Sequence, residues 1–489
     1  MQKVDFLCQL EKYPYRVFLC LFIIALILRF HTFIPITLDR DEATYAVFAD
    51  HLLNGSELYK DIQDIKPPGI FVIYCGIQLL FGKSLWTIRL MSILVVSSSA
   101  FFLYLFKRKR GFDLVPSLLT GIVYILIFNY FFGLSGNTEL YFIWCFSLGL
   151  LTFSYAKGLA GFFSSGLIIG IGFIIKQHIA FDFAALGLFF LISSIQLKSF
   201  WKNFPNMTLM VVGFLLPFLL VNGYFYFIGN WEYYHYVTYV APGNYSATHH
   251  LPSIARFNLN ALLMFSPFIL MGVLSWREAT LDSSFRVLIL LLILFDLIAV
   301  NLTGKPFKHY LLQLAVPIAL LAGEAYQLKR IKRFFDKGLV QKLAIGLMLL
   351  YALTLSVVYK YYRFDSGREL VSYFESRMKD SDTLYAADAP TILYWFFGKK
   401  SPTKFIHSTL MVFPQHIEEL GIDVNAELNR ILSGHPTYVV ISDRYPHKWF
   451  VNEVKASYSK VADLKKYTVY QIKDEWSRPI VFGTDSQLD

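Results

Sequence analysis

The chain has 489 residues, 55% of them hydrophobic and only 16% charged, where soluble domains average about 25% charged. That balance excludes a wholly soluble protein and indicates a polytopic membrane protein with some soluble part. The 45 basic and 35 acidic residues leave a net charge of +10, but the bases sit in short loops between apolar runs. This is the signature of membrane topology, and nucleic acid is not an expected partner.

Taken in chain order, the first apolar run is Val17 to Phe30. It follows a polar start and lacks a small-residue cleavage site, so it reads as a retained anchor within a span at 17–36. The four cysteines, Cys8, Cys20, Cys75 and Cys145, have no paired spacing, and none lies in the polar C-terminal part. A disulfide framework and a zinc site are not expected.

The next segment, Asp39-Arg40-Asp41-Glu42-Ala43-Thr44-Tyr45, places three acids and an arginine at a membrane edge. Asp39 followed three residues later by Glu42 matches a helix-capping pattern, and Tyr45, Phe48, Ala49 and Leu52 continue at helical spacing. A surface helix over about 40–53 follows. Capping accounts for Asp39 and Glu42 and leaves Asp41 without a structural reason.

Lys66-Pro67-Pro68-Gly69 comes next. Pro67 pushes Lys66 into an extended conformation, and Pro68 suits the first turn of a following helix. The lysine is held stiffly where loop meets membrane, placed either for a phosphate contact or for snorkelling to headgroups. Residues 69–81 are apolar but too few to span, and are expected to lie at the interface.

Spans are then expected at 84–106, 114–132, 139–156, 159–175, 178–196, 207–228, 257–275, 285–303, 309–326 and 339–358, each near the roughly 17–25 residues that a spanning helix needs. With 69–81 at the interface, eleven spans result. The basic groups Lys3, Lys12, Arg16, 107–110, Lys157, Lys198, Lys202, Arg277 and 329–337 then share one face, which the positive-inside rule makes cytoplasmic. Asp41, Lys66 and Glu139 fall on the opposite face. Glu139 opens an apolar helix after Ser135-Gly136-Asn137-Thr138, where an acid is capped, paired or functional. Arg29, Arg89, Lys176, Arg256 and the Lys305-Pro306-Phe307-Lys308-His309-Tyr310 turn are cations at outer helix ends, suited to lipid phosphate. The rings of 231–245 fit an interfacial belt. Asp182 and Asp296 are the deepest acids and have no evident partner in the sequence.

After Tyr359 the composition turns polar. Arg368–Met378, 416–432 and 447–458 read as helices; Thr383–Ala387, Thr437–Ser442 and 467–473 read as strands. The division expected is a transmembrane unit, 1–360, and an extracytoplasmic α/β domain, 361–489.

The Asp-Glu-Ala-x-Tyr-Ala run after the first span, the Lys-Pro-Pro turn, Phe81-Gly82, Arg89-Leu90 and the late His309-Tyr310-Leu311 turn together resemble the GT-C glycosyltransferases. Nearest are the protein O-mannosyltransferase and lipid A aminoarabinose transferase families. The resemblance spans residues 15–360 in architecture and is motif-specific in the first hundred. It implies a polyprenyl-phosphate-linked sugar donor, inversion at the anomeric carbon and transfer outside the cytoplasm to a lipid, glycan or protein acceptor. Asp41 takes the place of the family's catalytic acid and Glu139 that of a second acid. The donor phosphate and substrate would be held by Lys66 with Arg40, Glu42, Arg256, Lys305, Lys308, His309 and Tyr310. It further implies an integral protein of a bacterial inner or plasma membrane, at work in cell-envelope glycan biosynthesis. No cofactor is fixed by the sequence; a divalent cation could bridge acid and phosphate. A lipid-linked-sugar transporter or flippase, or a repeat-unit polymerase, is the alternative, but the paired halves of a transporter are not evident.

Overall fold

The computed structural model describes residues 11–130, 133–245, 251–279, 281–304, 307–361 and 366–473; Lys3, Cys8 and Lys305 lie outside them. Each expected span falls on helical segments, that at 114–132 only as far as Ile127. By length and composition, six helices among the described residues suffice to cross a membrane: Pro14–Phe33, Leu85–Lys109, Ile179–Gln196, Phe200–Phe227, Ser283–Leu302 and Gly338–Val358. Counting two bent pairs as one span each gives eight. Leu114–Ile127 and Leu159–Phe173 are shorter apolar helices, as is Gly69–Phe81, the segment expected at the interface.

Two expected spans are not straight. The one at 257–275 bends by 75° between Leu251–Met264 and Ser266–Glu278. Pro267 sits in the first turn of the second helix, where its missing N–H and its ring cannot continue a preceding helix. The one at 309–326 opens as a 3-10 segment, Lys308–Leu314, before Ala315–Ala322.

The helices pack through small residues. A Cβ on Gly166 would lie 1.9 Å from the Met210 carbonyl oxygen, so only glycine lets Leu159–Phe173 and Phe200–Phe227 approach this closely. Lys107 and Glu324 form a fully buried ion pair. Asp182 does have a partner: Gln313 Nε2 donates to its Oδ2 at 2.6 Å. The described cysteines, Cys20, Cys75 and Cys145, are free.

The C-terminal α/β region carries a four-stranded sheet in the order β1-β2-β4-β3. β1 (Leu384–Ala387) runs parallel to β2 (Tyr438–Ser442). β4 (Tyr467–Ile472) is antiparallel to both β2 and β3 (Tyr458–Leu464). β3 is missed by sequence reading, since 447–458 is expected as helix and Ser-Lys-Val-Ala-Asp is too polar to signal a strand. It is an edge strand whose side chains are mostly exposed, and pairing with β4 makes it one. The helix itself ends at Ser457.

Among the described side chains of the segment expected as an interfacial belt, the Tyr234 ring is fully enclosed. It is stacked on Phe225 at 4.2 Å and packed against Tyr59.

Candidate functional site

The Arg40–Leu53 helix begins at Asp39, whose side chain accepts from the Asp41 N–H at 3.4 Å. Asp39 is therefore the cap. Glu42 is not: its carboxylate turns inward, pairs with Arg89 and accepts from the Gly136 N–H at 2.7 Å. Both side chains of that pair are essentially inaccessible, at 4% and 1% exposure. Buried in that pair, Glu42 ties the Arg40–Leu53 helix to the Leu85–Lys109 helix. Gly136 is needed beside it, because a Cβ there would meet the Tyr74 hydroxyl at 2.4 Å. Arg29, expected to meet lipid phosphate, is buried instead and donates to the carbonyls of Phe128 and Leu134.

Successive residues of a helix turn by about 100°, so Asp41 projects away from Glu42 into a separate, largely buried cluster. Lys66 Nζ lies 3.2 Å from Asp41 Oδ1, and Asn137 Nδ2 donates to Asp41 Oδ2 at 3.2 Å. His407, from the C-terminal α/β region, meets Oδ1 at 2.9 Å. Asn137 is oriented by its own carbonyl, which accepts from the Tyr45 hydroxyl at 3.0 Å and the Thr138 N–H at 2.7 Å. Its amide nitrogen thus faces the acids, reaching Asp39 at 3.1 Å as well. Lys66 is stiffened as the prolines imply: Asp64 accepts from its N–H at 3.1 Å, and its carbonyl accepts from the Tyr59 hydroxyl at 2.6 Å.

The electrostatics separate two neighbouring acids. Burial would push Asp41 up, but Lys66 and then His407 outweigh it and hold the carboxyl well below its usual range. For Asp39 burial prevails, reinforced by Asp41 and Glu42, and it is pushed up to about 7. Burial would lower Lys66, yet Asp41 and Asp64 raise it, so it is a permanent cation.

A second cluster adjoins the first. Glu139 pairs with Lys176, accepts from the Thr138 hydroxyl at 3.0 Å and lies 3.8 Å from His309 Nε2. Lys176 Nζ stands 4.0 Å from the centre of the Tyr310 ring. Of the expected residues, then, Asp41 and Lys66 form one group, and Glu139, His309 and Tyr310 the next. Arg40 is exposed and pairs with Asp388 at 3.0 Å. Arg256 and Lys308 are exposed and, among the described residues, do not belong to either group. In the sequence His407 carries no signal, Asn137 shows only as part of the turn before Glu139, and Lys176 is marked only as a basic helix end. Among the described residues no set of three or more His, Cys, Asp or Glu is placed to hold a metal ion.

Comparison with known proteins bears on this geometry. Residues 65–222 match the family described as dolichyl-phosphate-mannose-protein mannosyltransferase. The crystal structure of ArnT from Cupriavidus metallidurans bound to undecaprenyl phosphate superposes with a TM-score of 0.65, at 14% identity, over 95% of this chain and 99% of that one. The chain therefore shares the fold of that ArnT structure. A zinc- and sulfate-bound oligosaccharyltransferase from Archaeoglobus fulgidus gives a TM-score of 0.46, at 13% identity, over 95% of this chain and 74% of that one. No curated protein sequence matches the chain. With six helices among the described residues long and apolar enough to cross a membrane, the chain is an integral membrane protein.

Proposed function

We propose that this chain is an inverting glycosyltransferase that moves a sugar from a polyprenyl-phosphate donor to a hydroxyl of a lipid, glycan or protein acceptor on the extracytoplasmic face. The observation that carries the reading is Lys66 Nζ at 3.2 Å from Asp41 Oδ1, which puts a proton acceptor and a phosphate-binding cation within one side chain's reach. The undecaprenyl phosphate bound to the ArnT of similar fold supports the donor class.

In the reaction the acceptor oxygen bonds to the anomeric carbon as the bond from that carbon to the phosphate oxygen breaks. Asp41 takes the hydroxyl proton, and polyprenyl phosphate leaves with the electron pair. Attack from the side opposite the phosphate inverts the anomeric centre. General-base help is worth roughly 10²–10⁴-fold, and the charge growing on the phosphate needs fixed cations. In the resting geometry Lys66 and His407 keep Asp41 too weak a base. When Lys66 turns from the carboxylate to the donor phosphate, its charge moves to the leaving group and Asp41 gains proton affinity. Lys176, held by Glu139 beside His309, is the second cation available to the phosphate.

An apolar groove of about 540 Å³ supports a lipid donor. It runs between Leu262, Phe265 and Leu297 and reaches Leu314, which ends the segment that carries His309. Within this reading residues 1–360 form the catalytic unit and 361–489 an extracytoplasmic domain. The test is purified protein with synthetic polyprenyl-phosphate hexoses and pentoses, read as release of polyprenyl phosphate. Turnover of a nucleotide sugar alone would overturn the donor assignment.

A further inference from the structure

We propose that His407 is a positioning residue for the Asp41 carboxylate, supplied to the site by the C-terminal α/β region. This rests on the reading of Asp41 as the base. Its Nε2 lies 2.9 Å from Asp41 Oδ1, across 366 residues of sequence. The other ring nitrogen, Nδ1, faces the Thr409 hydroxyl at 2.6 Å and the Thr409 backbone N–H at 3.4 Å. A backbone N–H only donates, so Nδ1 is an acceptor and the ring hydrogen sits on Nε2. His407 therefore donates to Asp41.

The segment carrying it is anchored to both elements that build the site. The Ser401 N–H donates to His51 Nε2 at 3.1 Å, on the Arg40–Leu53 helix. The N–H of Gln63, three residues before Lys66, donates to the Lys404 carbonyl at 2.8 Å. The His407 side chain is itself only 9% exposed.

A carboxylate offers about four lone-pair sites. Lys66 and His407 occupy Oδ1, and Asn137 takes one site on Oδ2. The remaining site on Oδ2 is the one open to an acceptor hydroxyl. When Lys66 leaves for the phosphate, His407 and Asn137 still hold one oxygen each, so the carboxylate cannot rotate about its last torsion. His407 thereby keeps the proton-accepting lone pair aimed during the step that needs it.

The test uses the full-length protein in detergent or nanodiscs. His407→Ala should lower kcat for polyprenyl-phosphate release roughly 10- to 100-fold, the scale of a misplaced reacting group, with KM for the lipid-linked sugar unchanged. His407→Gln keeps an N–H donor near the Nε2 position and should restore most of the rate. Melting temperatures of His407→Ala, Asp41→Ala and the double variant give a thermal cycle that needs no substrate, and contact predicts non-additive shifts. Additive shifts overturn the proposal. So does a His407→Ala protein with wild-type kcat while Asp41→Asn is inactive. Coupled melting shifts together with normal turnover by Asp41→Asn would leave the contact standing and refute Asp41 as the base.

Discussion

Asp41 and Glu42 are adjacent in sequence and serve opposite ends. Glu42 is buried against Arg89, and Asp41 faces outward among Lys66, Asn137 and His407. One turn step on a helix separates an acid that holds two helices together from an acid that remains open to a substrate.

Asp41→Asn should abolish turnover by about 10²–10⁴-fold, the usual cost of losing a general base. The amide keeps the size and much of the hydrogen bonding, so the melting temperature should change little. Normal polyprenyl-phosphate release by this variant would make the acidic loop structural.

Glu42→Gln or Arg89→Ala should act on stability. Removing one member of a buried ion pair leaves the other charge uncompensated, at a cost of about 3–5 kcal/mol. Thermal unfolding in detergent reads it. A variant that folds with unaltered melting temperature but loses donor affinity would return Glu42 to the substrate site.

Lys66→Ala should weaken donor use, seen as a raised KM for the lipid-linked sugar and a lower kcat, because the leaving phosphate loses a cation. Lys66→Arg keeps the charge and should recover part of both. Kinetics identical to wild type for the alanine variant would assign the phosphate contact to Lys176 instead.

A pH dependence follows from Asp39. Its carboxyl is raised from 3.8 to about 7 in the folded state, so the folded protein binds more protons than the unfolded chain between those values. The stability this contributes is complete below about 3.8 and is lost as pH rises towards 7. Asp41 works the other way. Held below 3.8, its contribution is present above that value and lost only on further acidification. The wild-type melting temperature should therefore lose ground to that of Asp39→Asn as pH rises from about 3.8 to about 7. Parallel curves would show that Asp39 is ionised throughout.

Residues 107–110 and 329–337 should be cytoplasmic and 37–68 and 366–473 external, by the distribution of bases. Cysteine labelling on a cysteine-free background checks this. External labelling at position 108 with none at position 440 would invert the arrangement.

The sequence by itself determined what depends on neighbours along the chain. Hydropathy marked the helices, because a segment in lipid must satisfy its backbone internally. The Lys-Pro-Pro turn and the Asp39 cap were legible because proline sterics and helix ends act over a few residues. β1, β2 and β4 showed as short apolar runs. Tertiary structure decided the rest. The sequence offers two carboxylates side by side, and only packing chose Arg89, 47 positions away, for Glu42. Asn137 joins Asp41 across 96 positions and His407 across 366. Neither carries a local signal, because an amide or an imidazole becomes part of a site only through the partner it is folded against.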